Sequence, residues 1–595
     1  MDKNVFESSN ARDMTSKQLA SEFIWTTTFE RLFSKRNHII LGARGTGKTA
    51  FAKMLAFDGL SQYQDERARA IISKKSFIAT FVPFKPEFLA KLQSIQEDPQ
   101  QSDFFFIWGV NLSSCSRFIN IIKHCIERYS KSSVDSVIHE RNISLKLGDL
   151  WLGERYESLD KLNSSLSALE FEKNFCFNKA SLGFPLDKHD LEIGRKFHTD
   201  LFSPIKMGIE ILKQELGFSD QTTWAICLDE AEVLTEGQWK LINTQLRTYT
   251  EVVFKITTMP YKHKTLKTNI DENLNAKHDF DYLYLDRLGT IDKSQKDADK
   301  IILEFAEKLF DKKVAGSKLS DTGITLKYLL GKSDLTDNSA EVMPNKKIMY
   351  YINRYCNPST IERATRLYKN NPTGKSFSDE IERKVRPLLV LKDYFESTTG
   401  QAYAAPKIFS GYDVAIKCCD GNPRKLINLF NRFITSQNNS SSFAPLEKGR
   451  QGRIIKSFSI SEIDSIRAEE NGSNAAIFLT QVGNYFKGSL HNEKIGTEIN
   501  MSFEFDLTDK VIWDAVRISV DLGLLIPHIT TADGDDNMPI MSGRFHLSGS
   551  ISPQFFLPPR RGGVLKLSTI QKRISNSSIR TVGTNPIDQI EMFDE

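Results

Sequence analysis

Eight consecutive residues carry the most specific chemistry in the chain. Gly42-Ala43-Arg44-Gly45-Thr46-Gly47-Lys48-Thr49 fits G-x-x-x-x-G-K-[ST] at every position. Its glycines let the backbone curl until N–H groups point at phosphate oxygens. The Lys48 ammonium supplies charge to β- and γ-phosphates, and the Thr49 hydroxyl suits a Mg²⁺ ligand. Gly42, Arg44, Gly45, Thr46, Gly47, Lys48 and Thr49 therefore form one candidate set for ATP and Mg²⁺. A second cluster is Trp224-Ala225-Ile226-Cys227-Leu228-Asp229-Glu230, an apolar run ending in two acids. Asp229 would hold Mg²⁺ directly or through water, and Glu230 would polarise the attacking water as general base. Alone, two acids at a strand end read as surface carboxylates; the complete phosphate loop upstream makes them a catalytic pair.

Two single positions complete the set. Val252-Val253-Phe254-Lys255-Ile256-Thr257-Thr258 ends in hydroxyls, and Thr258 or Thr257 can hold a γ-phosphate or the lytic water. The bland reading is a β-branched pair chosen for strand propensity. Arg424, in Gly421-Asn422-Pro423-Arg424-Lys425, stands at the start of a helical pattern. There it can reach a γ-phosphate and report nucleotide state, or simply form a solvated first turn.

These side chains need particular elements to carry them. Asn37-His38-Ile39-Ile40-Leu41 reads as a short buried strand feeding the loop. Ala50, Phe51, Met54 and Leu55 follow at helical spacing, which puts a helix N-terminus at the phosphates. Residues 76–83 read as the second core strand. The pattern resembles P-loop ATPases with an inserted strand, and that resemblance implies that the Thr257-Thr258 strand lies between the loop strand and the acidic strand. Asp281-Tyr282-Leu283-Tyr284-Leu285 would be the last strand. Helical faces follow at Trp239, Ile242 and Leu246, at Ile301, Phe305 and Leu309, and at Leu426, Phe430 and Phe433.

Together, these motifs resemble the AAA+ ATPases, specifically the origin-recognition-complex-like initiator clade and its prokaryotic relatives. The matching pieces are Gly42 to Thr49, Leu228-Asp229-Glu230-Ala231-Glu232, the Thr257-Thr258 strand end and Gly421-Asn422-Pro423-Arg424. Phe254 to Tyr261 and Gly543-Arg544-Phe545-His546-Leu547-Ser548 also look familiar from bacterial relatives. The resemblance implies an α/β fold: an αβα sandwich with a helical insertion and a helical lid, then a small winged-helix-like C-terminal domain. The expected boundaries are 1–290 for the core with an insertion at about 130–196, and 291–436 for the lid with an insertion at about 314–371. A linker at 437–474 and the C-terminal domain at 475–595 follow.

Function implied by the resemblance is an ATP-driven switch that engages DNA, acting as a homo-oligomer or with a partner. Such relatives often look like parts of mobile-element or antiphage defence loci. The alternative expectation is therefore a regulatory or sensor ATPase controlling a separate effector protein. No nuclease, protease or deaminase motif is evident in the chain itself. One departure stands out. Between Thr258 and Asp281 there is no arginine to act on a neighbour's nucleotide, only Lys262, Lys264, Lys267 and Lys277. Arg247 and Arg287 lie just outside; either could act on a neighbour's nucleotide, and a surface ion pair is the readier reading of each.

Composition bounds the rest. The chain has 595 residues, with 79 Lys+Arg against 75 Asp+Glu, so nucleic-acid contact must come from a local patch. Residues 551–580 supply one: Arg560, Arg561, Lys566, Lys572, Arg573 and Arg580, with no acid. This stretch suits phosphate contact without sequence readout, though a protein-docking edge is the other reading. The acidic turn at 531–537 argues against a wing that enters a groove. Helical faces at Phe478, Val482 and Tyr485, and at Val511, Ala515, Ile518 and Leu522, would build the C-terminal domain. A polar stretch at 437–442 reads as linker.

Most of the 40 Phe should be core; if any aromatic is on the surface, Phe104-Phe105-Phe106 and Phe555-Phe556 are the first places to look for a partner site. Residues 104–129 are expected to form a buried helix after an aromatic turn. The seven cysteines are scattered and form no C-x-x-C pair, so reduced thiols are expected. No uninterrupted apolar run spans a bilayer and no signal-peptide core follows Met1, so a cytoplasmic protein without membrane contact is expected.

Overall fold

A computed structural model describes residues 10–95, 98–194, 196–248, 251–290, 293–315, 319, 322–335, 347–370, 375–398, 407–437, 444–528 and 543–580. The turn expected at 531–537 and all but the first residue of the linker stretch at 437–442 lie outside them. The described residues divide into two compact units, 10–290 and 293–580.

The first unit is organised by five strands: β1 (His38–Leu41), β2 (Phe77–Pro83), β3 (Thr223–Asp229), β4 (Val252–Thr258) and β5 (Asp281–Tyr284). All pairs are parallel, in the order β2-β3-β4-β1-β5. Every residue of β3 and β4 is buried, as in parallel sheets covered on both faces, whose strands read as continuous apolar runs. Because β4 pairs with β3 on one side and β1 on the other, three strand ends adjoin. They are those leading to Gly42, to Asp229 and to Thr258.

One charge sits inside this sheet. Lys255 of β4 lies opposite His38 of β1 and is fully buried. Its Nζ donates to the carbonyls of Ser34 at 3.0 Å and Arg36 at 2.7 Å, and lies 2.9 Å from His38 Nδ1. Burial pushes the Lys255 pKa down to about 7 and that of His38 to about 3. A neutral His38 can then accept from the amine, so the lysine ties the start of β1 to β4.

A helical layer covers the sheet: Pro99–Tyr129, Ser133–Trp151, Leu159–Ser181 and Ser203–Leu216. The first starts on an Asp98 cap with Pro99 in its first turn, the usual start signal. It is long and apolar enough to cross a membrane by composition, and 72% of that apolar window is buried inside the unit. The Phe104–Phe106 cluster is not on the surface. Phe105 and Phe106 are fully buried, and Phe104 packs on Trp108 and His198. A helix flanked by neighbours on several sides buries adjacent residues, which defeats a one-face reading. Exposed aromatics lie elsewhere, among them Phe171 (73%) and Phe175 (61%) on Leu159–Ser181. All seven cysteines are free and buried, as expected.

The second unit begins with helices from Gln295–Ala315 to Pro423–Thr435. Residues expected as linker form a further helix, Lys448–Ile466. Its buried Gln451, Ile455, Phe458, Ser459, Ile463 and Ile466 follow a helical period that its many polar residues mask. After Gly472–His491 comes a mixed sheet of β6 (Asn500–Phe505), β7 (Leu525–Pro527), β8 (Gly543–Leu547) and β9 (Gly563–Lys566), in the order β7-β8-β6-β9. Helix Lys510–Asp521 joins β6 to β7, and β7 and β8 are antiparallel. This order agrees with a winged-helix-like domain, extended by β9 parallel to β6.

The buried face of Lys510–Asp521 differs from expectation. Val511 is 61% exposed, whereas Trp513, Val516 and Val520 are buried. Trp513, packed on Phe505 and Phe545, sets the rotation of the helix. The other candidate for surface, Phe555-Phe556, is also drawn in. Phe555 is buried, and Phe556 packs on Phe395 and Phe409.

Lys255 makes stability depend on pH. Between its native pKa of about 7 and the ordinary 10.5, the unfolded chain binds a proton that the native state lacks. Stability therefore rises with pH across that window. The expected outcome is that the melting temperature of the wild type, relative to Lys255→Met, increases from pH 7 to pH 9 in thermal unfolding.

Candidate active site

After β1 the chain turns through the glycine-rich loop into the helix Lys48–Leu55. Gly45 and Gly47 have φ of 86° and 96°, the left-handed region that other residues avoid. At Gly42 the constraint is space, since a Cβ would lie 2.4 Å from Thr46 Oγ1. Thr46 turns inward and donates to the Ala43 carbonyl at 2.8 Å. The Ala43 amide donates to Asp286 Oδ1 at 3.1 Å, anchoring the loop to the segment after β5. Gly47 caps the helix without a side chain, so no side chain competes with an anion for the first-turn amides. Lys48 is buried, with Nζ donating to the Gly42 carbonyl at 2.8 Å and reaching that of Ala43 at 3.4 Å. Arg44 is exposed.

Asp229 ends β3 and is 1% exposed. It accepts from the Thr257 hydroxyl at 2.5 Å and from the Thr49 hydroxyl. Burial pushes its pKa up, while those two hydrogen bonds and Lys48 oppose the shift. A desolvated carboxylate sharing a hydroxyl with the phosphate loop is a donor set that fits Mg²⁺, which binds one or two protein oxygens and keeps phosphate and water for the rest. Among the described residues no cluster of three or more His, Cys, Asp or Glu could hold a metal alone, in keeping with such a shared shell.

Glu230 follows with φ 64° and ψ 37°, a left-handed conformation unusual for glutamate. Its amide donates to Thr257 Oγ1 at 3.2 Å. One hydroxyl thus donates to Asp229 and accepts from Glu230. Thr258 is placed differently. It is buried, and its Oγ1 has no hydrogen-bond partner. Adjacent strand residues face opposite sides, so the structure brings Thr257, rather than Thr258, to the acids.

Two neighbours were given no role from the sequence, although Glu232 belongs to the Leu228–Glu232 motif. Arg12 pairs with the Glu230 carboxylate, and that hydrogen bond raises the arginine's pKa. It sits in a short N-terminal turn with no periodicity to mark it. Glu232 is half-buried, and its Oε2 has no hydrogen-bond partner. Burial pushes its pKa up, opposed by Lys48. Of the arginines considered for action on a neighbour, Arg287 is buried, and Arg247 pairs with Glu272.

Arg424 belongs to the second unit. Gly421 takes φ 72°, Asn422 caps the helix Pro423–Thr435 by accepting from the amides of Arg424 and Lys425, and Pro423 fills the first turn. Arg424 is exposed and Lys425 is buried. Lys425 Nζ donates to the Gly523 carbonyl at 2.7 Å and Ser550 Oγ at 2.8 Å, and pairs with Glu462 at 3.1 Å. Asp420 Oδ2 accepts from Ser548 Oγ and the Gly549 amide, both at 2.7 Å. The Gly421–Arg424 motif and the Gly543–Ser548 stretch, far apart in sequence, thus meet in one buried polar network. Of the basic stretch, Lys566, Lys572 and Arg573 are exposed, and Arg561 is half-buried. Arg560 is turned inward, donating to the Lys384 carbonyl at 3.0 Å. Burial pushes its pKa down to about 10, so it does not belong to an open phosphate-contacting face.

Comparison with protein-family models matches ORC-CDC6-like over residues 4–567. Comparison with curated proteins finds no match.

The two threonines are separable. Thr257→Val should weaken Mg²⁺-dependent ATP binding by about ten- to a hundredfold, since a hydrogen bond to a charged group is worth roughly 1.5–3 kcal/mol. Thr258→Val removes an unpartnered buried hydroxyl, and its expected melting temperature equals or exceeds the wild type's. Titration calorimetry with and without Mg²⁺, beside thermal unfolding, checks both.

Proposed function

The chain belongs to the ORC-CDC6-like family of AAA+ ATPases, and we propose that it binds Mg²⁺·ATP, hydrolyses it slowly and uses nucleotide state to switch its engagement of DNA. The observation carrying this reading is the adjacency of three strand ends: the loop with Lys48 and Thr49 after β1, Asp229 and Glu230 at β3, and Thr257 at β4. Lys48 and the loop amides bind the phosphates, Thr49 and Asp229 hold the metal, and Glu230 takes the proton of the attacking water. Thr257 orients both acids. Mg²⁺·ATP held by these residues would supply the electrophilic phosphorus and offset the charge of the phosphates.

Arg424 is the group assigned to sensing the γ-phosphate. Its neighbour Lys425 is fastened to Gly523, Ser550 and Glu462. A displacement of the Pro423–Thr435 helix would therefore be transmitted to the C-terminal sheet, which supports coupling between lid and DNA-engaging domain. Lys566, Lys572 and Arg573 are the exposed cations for phosphate contact. A second reading, a regulatory ATPase that controls an effector protein, is favoured by exposed Phe171, Phe175, Leu182 and Phe184. Apolar surface of this kind marks protein contacts.

Lys48→Ala is expected to abolish ATP binding; retained tight binding would end this reading. Glu230→Gln is expected to bind ATP normally and turn it over about 10²–10⁴-fold more slowly, the usual contribution of a general base. For DNA, affinity measured across a salt series should fall as salt rises, and Lys572→Ala with Arg573→Ala should lessen the slope by about two. A slope near zero favours the effector-protein reading.

A further inference from the structure

We propose that Lys456 and Lys487, on a shelf made by Phe556 and Phe395, bind the dianionic phosphate group of a small molecule: free phosphate or the terminal phosphate of a nucleotide. The site shares no residue with the phosphate loop or with the exposed cations Lys566, Lys572 and Arg573.

A turn that meets three helices builds it. Residues Ser552–Phe555 form a short helical turn that ends in Phe556. Phe555 is seated against Gly483, where a Cβ would lie 2.5 Å from its ring. The Gln554 amide donates to Ser459 Oγ at 3.2 Å. These two contacts fix the turn to the helices Gly472–His491 and Lys448–Ile466. Phe556 then takes φ 51° and ψ 40°, a left-handed conformation that a Cβ disfavours and that clusters at ligand sites. Its half-buried ring packs on Phe395 of Arg383–Thr398, with 5.3 Å between centroids.

Two ammonium groups share that ring. Lys456 Nζ lies 5.4 Å and Lys487 Nζ 5.9 Å from the Phe556 centroid, and Lys487 Nζ is also 5.4 Å from that of Phe395. Among the described residues neither lysine pairs with a carboxylate. Burial lowers the Lys487 pKa, and the charge of Lys456 lowers it further. Ring faces attract a cation but bring no counter-charge, so two like charges stand uncompensated at one place. His491 is buried against Phe395, with 4.1 Å between ring centroids. Its Nε2 donates to the Phe556 carbonyl at 2.9 Å, and its Nδ1 has no partner. A phosphate monoester carries roughly two negative charges at neutral pH and three acceptor oxygens, which matches the lysine pair. A carboxylate or a phosphodiester brings only one charge. Flexible ammonium groups suit phosphate as point charges.

Amine-selective acetylation of the full chain, read residue by residue by mass spectrometry at constant ionic strength, tests the site. The probes are inorganic phosphate, AMP and an oligonucleotide without a terminal phosphate. Saturating phosphate or AMP is expected to slow labelling of Lys456 and Lys487 about tenfold, since only the free state reacts. Exposed Lys188 should label at an unchanged rate. Protection by both small probes supports phosphate alone as the ligand, and protection by AMP only supports a nucleotide. Lys456→Gln should abolish the protection of Lys487 and Lys456→Arg should keep it, which separates this site from effects relayed from phosphate bound at Lys48. No protection by either small probe, equal protection of Lys188, protection by the oligonucleotide alone, or protection of Lys487 that survives Lys456→Gln would overturn the proposal.

Discussion

The position of β4 is the constraint on which the site depends. Inserted between β1 and β3, it sets the phosphate loop one strand away from the acids. It fills that gap with Thr257, whose hydroxyl bonds Asp229 on one side and accepts the Glu230 amide on the other. Parallel pairing aligns the carboxyl ends of all three strands, so the chemistry gathers at one edge of the sheet. At the opposite end of the same two strands, Lys255 joins β4 to the start of β1. The register that aligns these strand ends is thereby held from below by a buried amine and from above by a shared hydroxyl.

Buried charge recurs through the molecule, and each case has its own partners. Asp229 keeps two hydroxyls and a nearby lysine. Lys255 has two carbonyls and a neutral imidazole. Lys425 joins a carbonyl, a serine and Glu462. A buried charge without such partners would cost several kcal/mol. Where the partners come from several elements, the charge therefore fixes how those elements sit. In the second unit, this ties the Pro423–Thr435 helix to the C-terminal sheet, and the two do not behave as beads on a flexible string. The helix Lys448–Ile466, which supplies Glu462 to the same network, occupies the stretch that looked like linker.

What could be read from the chain was local. Strands of consecutive apolar residues, the glycine spacing of the loop and the Asn422-Pro423 helix start each depend on neighbouring residues only. Burial by one amphipathic face was read less well. Phe104 to Phe106 were first candidates for the surface and Val511 for the core, and the structure differs because their helices meet more than one neighbour, or are turned by a single large side chain such as Trp513. Basic residues were misread for the same reason. Arg560 has the composition of a surface cation but is half-buried and bonded to the Lys384 carbonyl.

The sequence alone marked the residues proposed to hold phosphate and metal, and roughly which strands carry them, because loop geometry and strand propensity are written in short spans. The order of the sheet followed from it only through resemblance to known ATPases. Tertiary structure decided the rest: that Thr257 and not Thr258 faces the acids, that Arg12 lies on Glu230 across 218 residues, and that Asp420 and Ser548 meet. Those contacts join residues hundreds of positions apart. No periodicity or spacing encodes them; they exist only once parallel strands and packed helices have set the distances between chain segments.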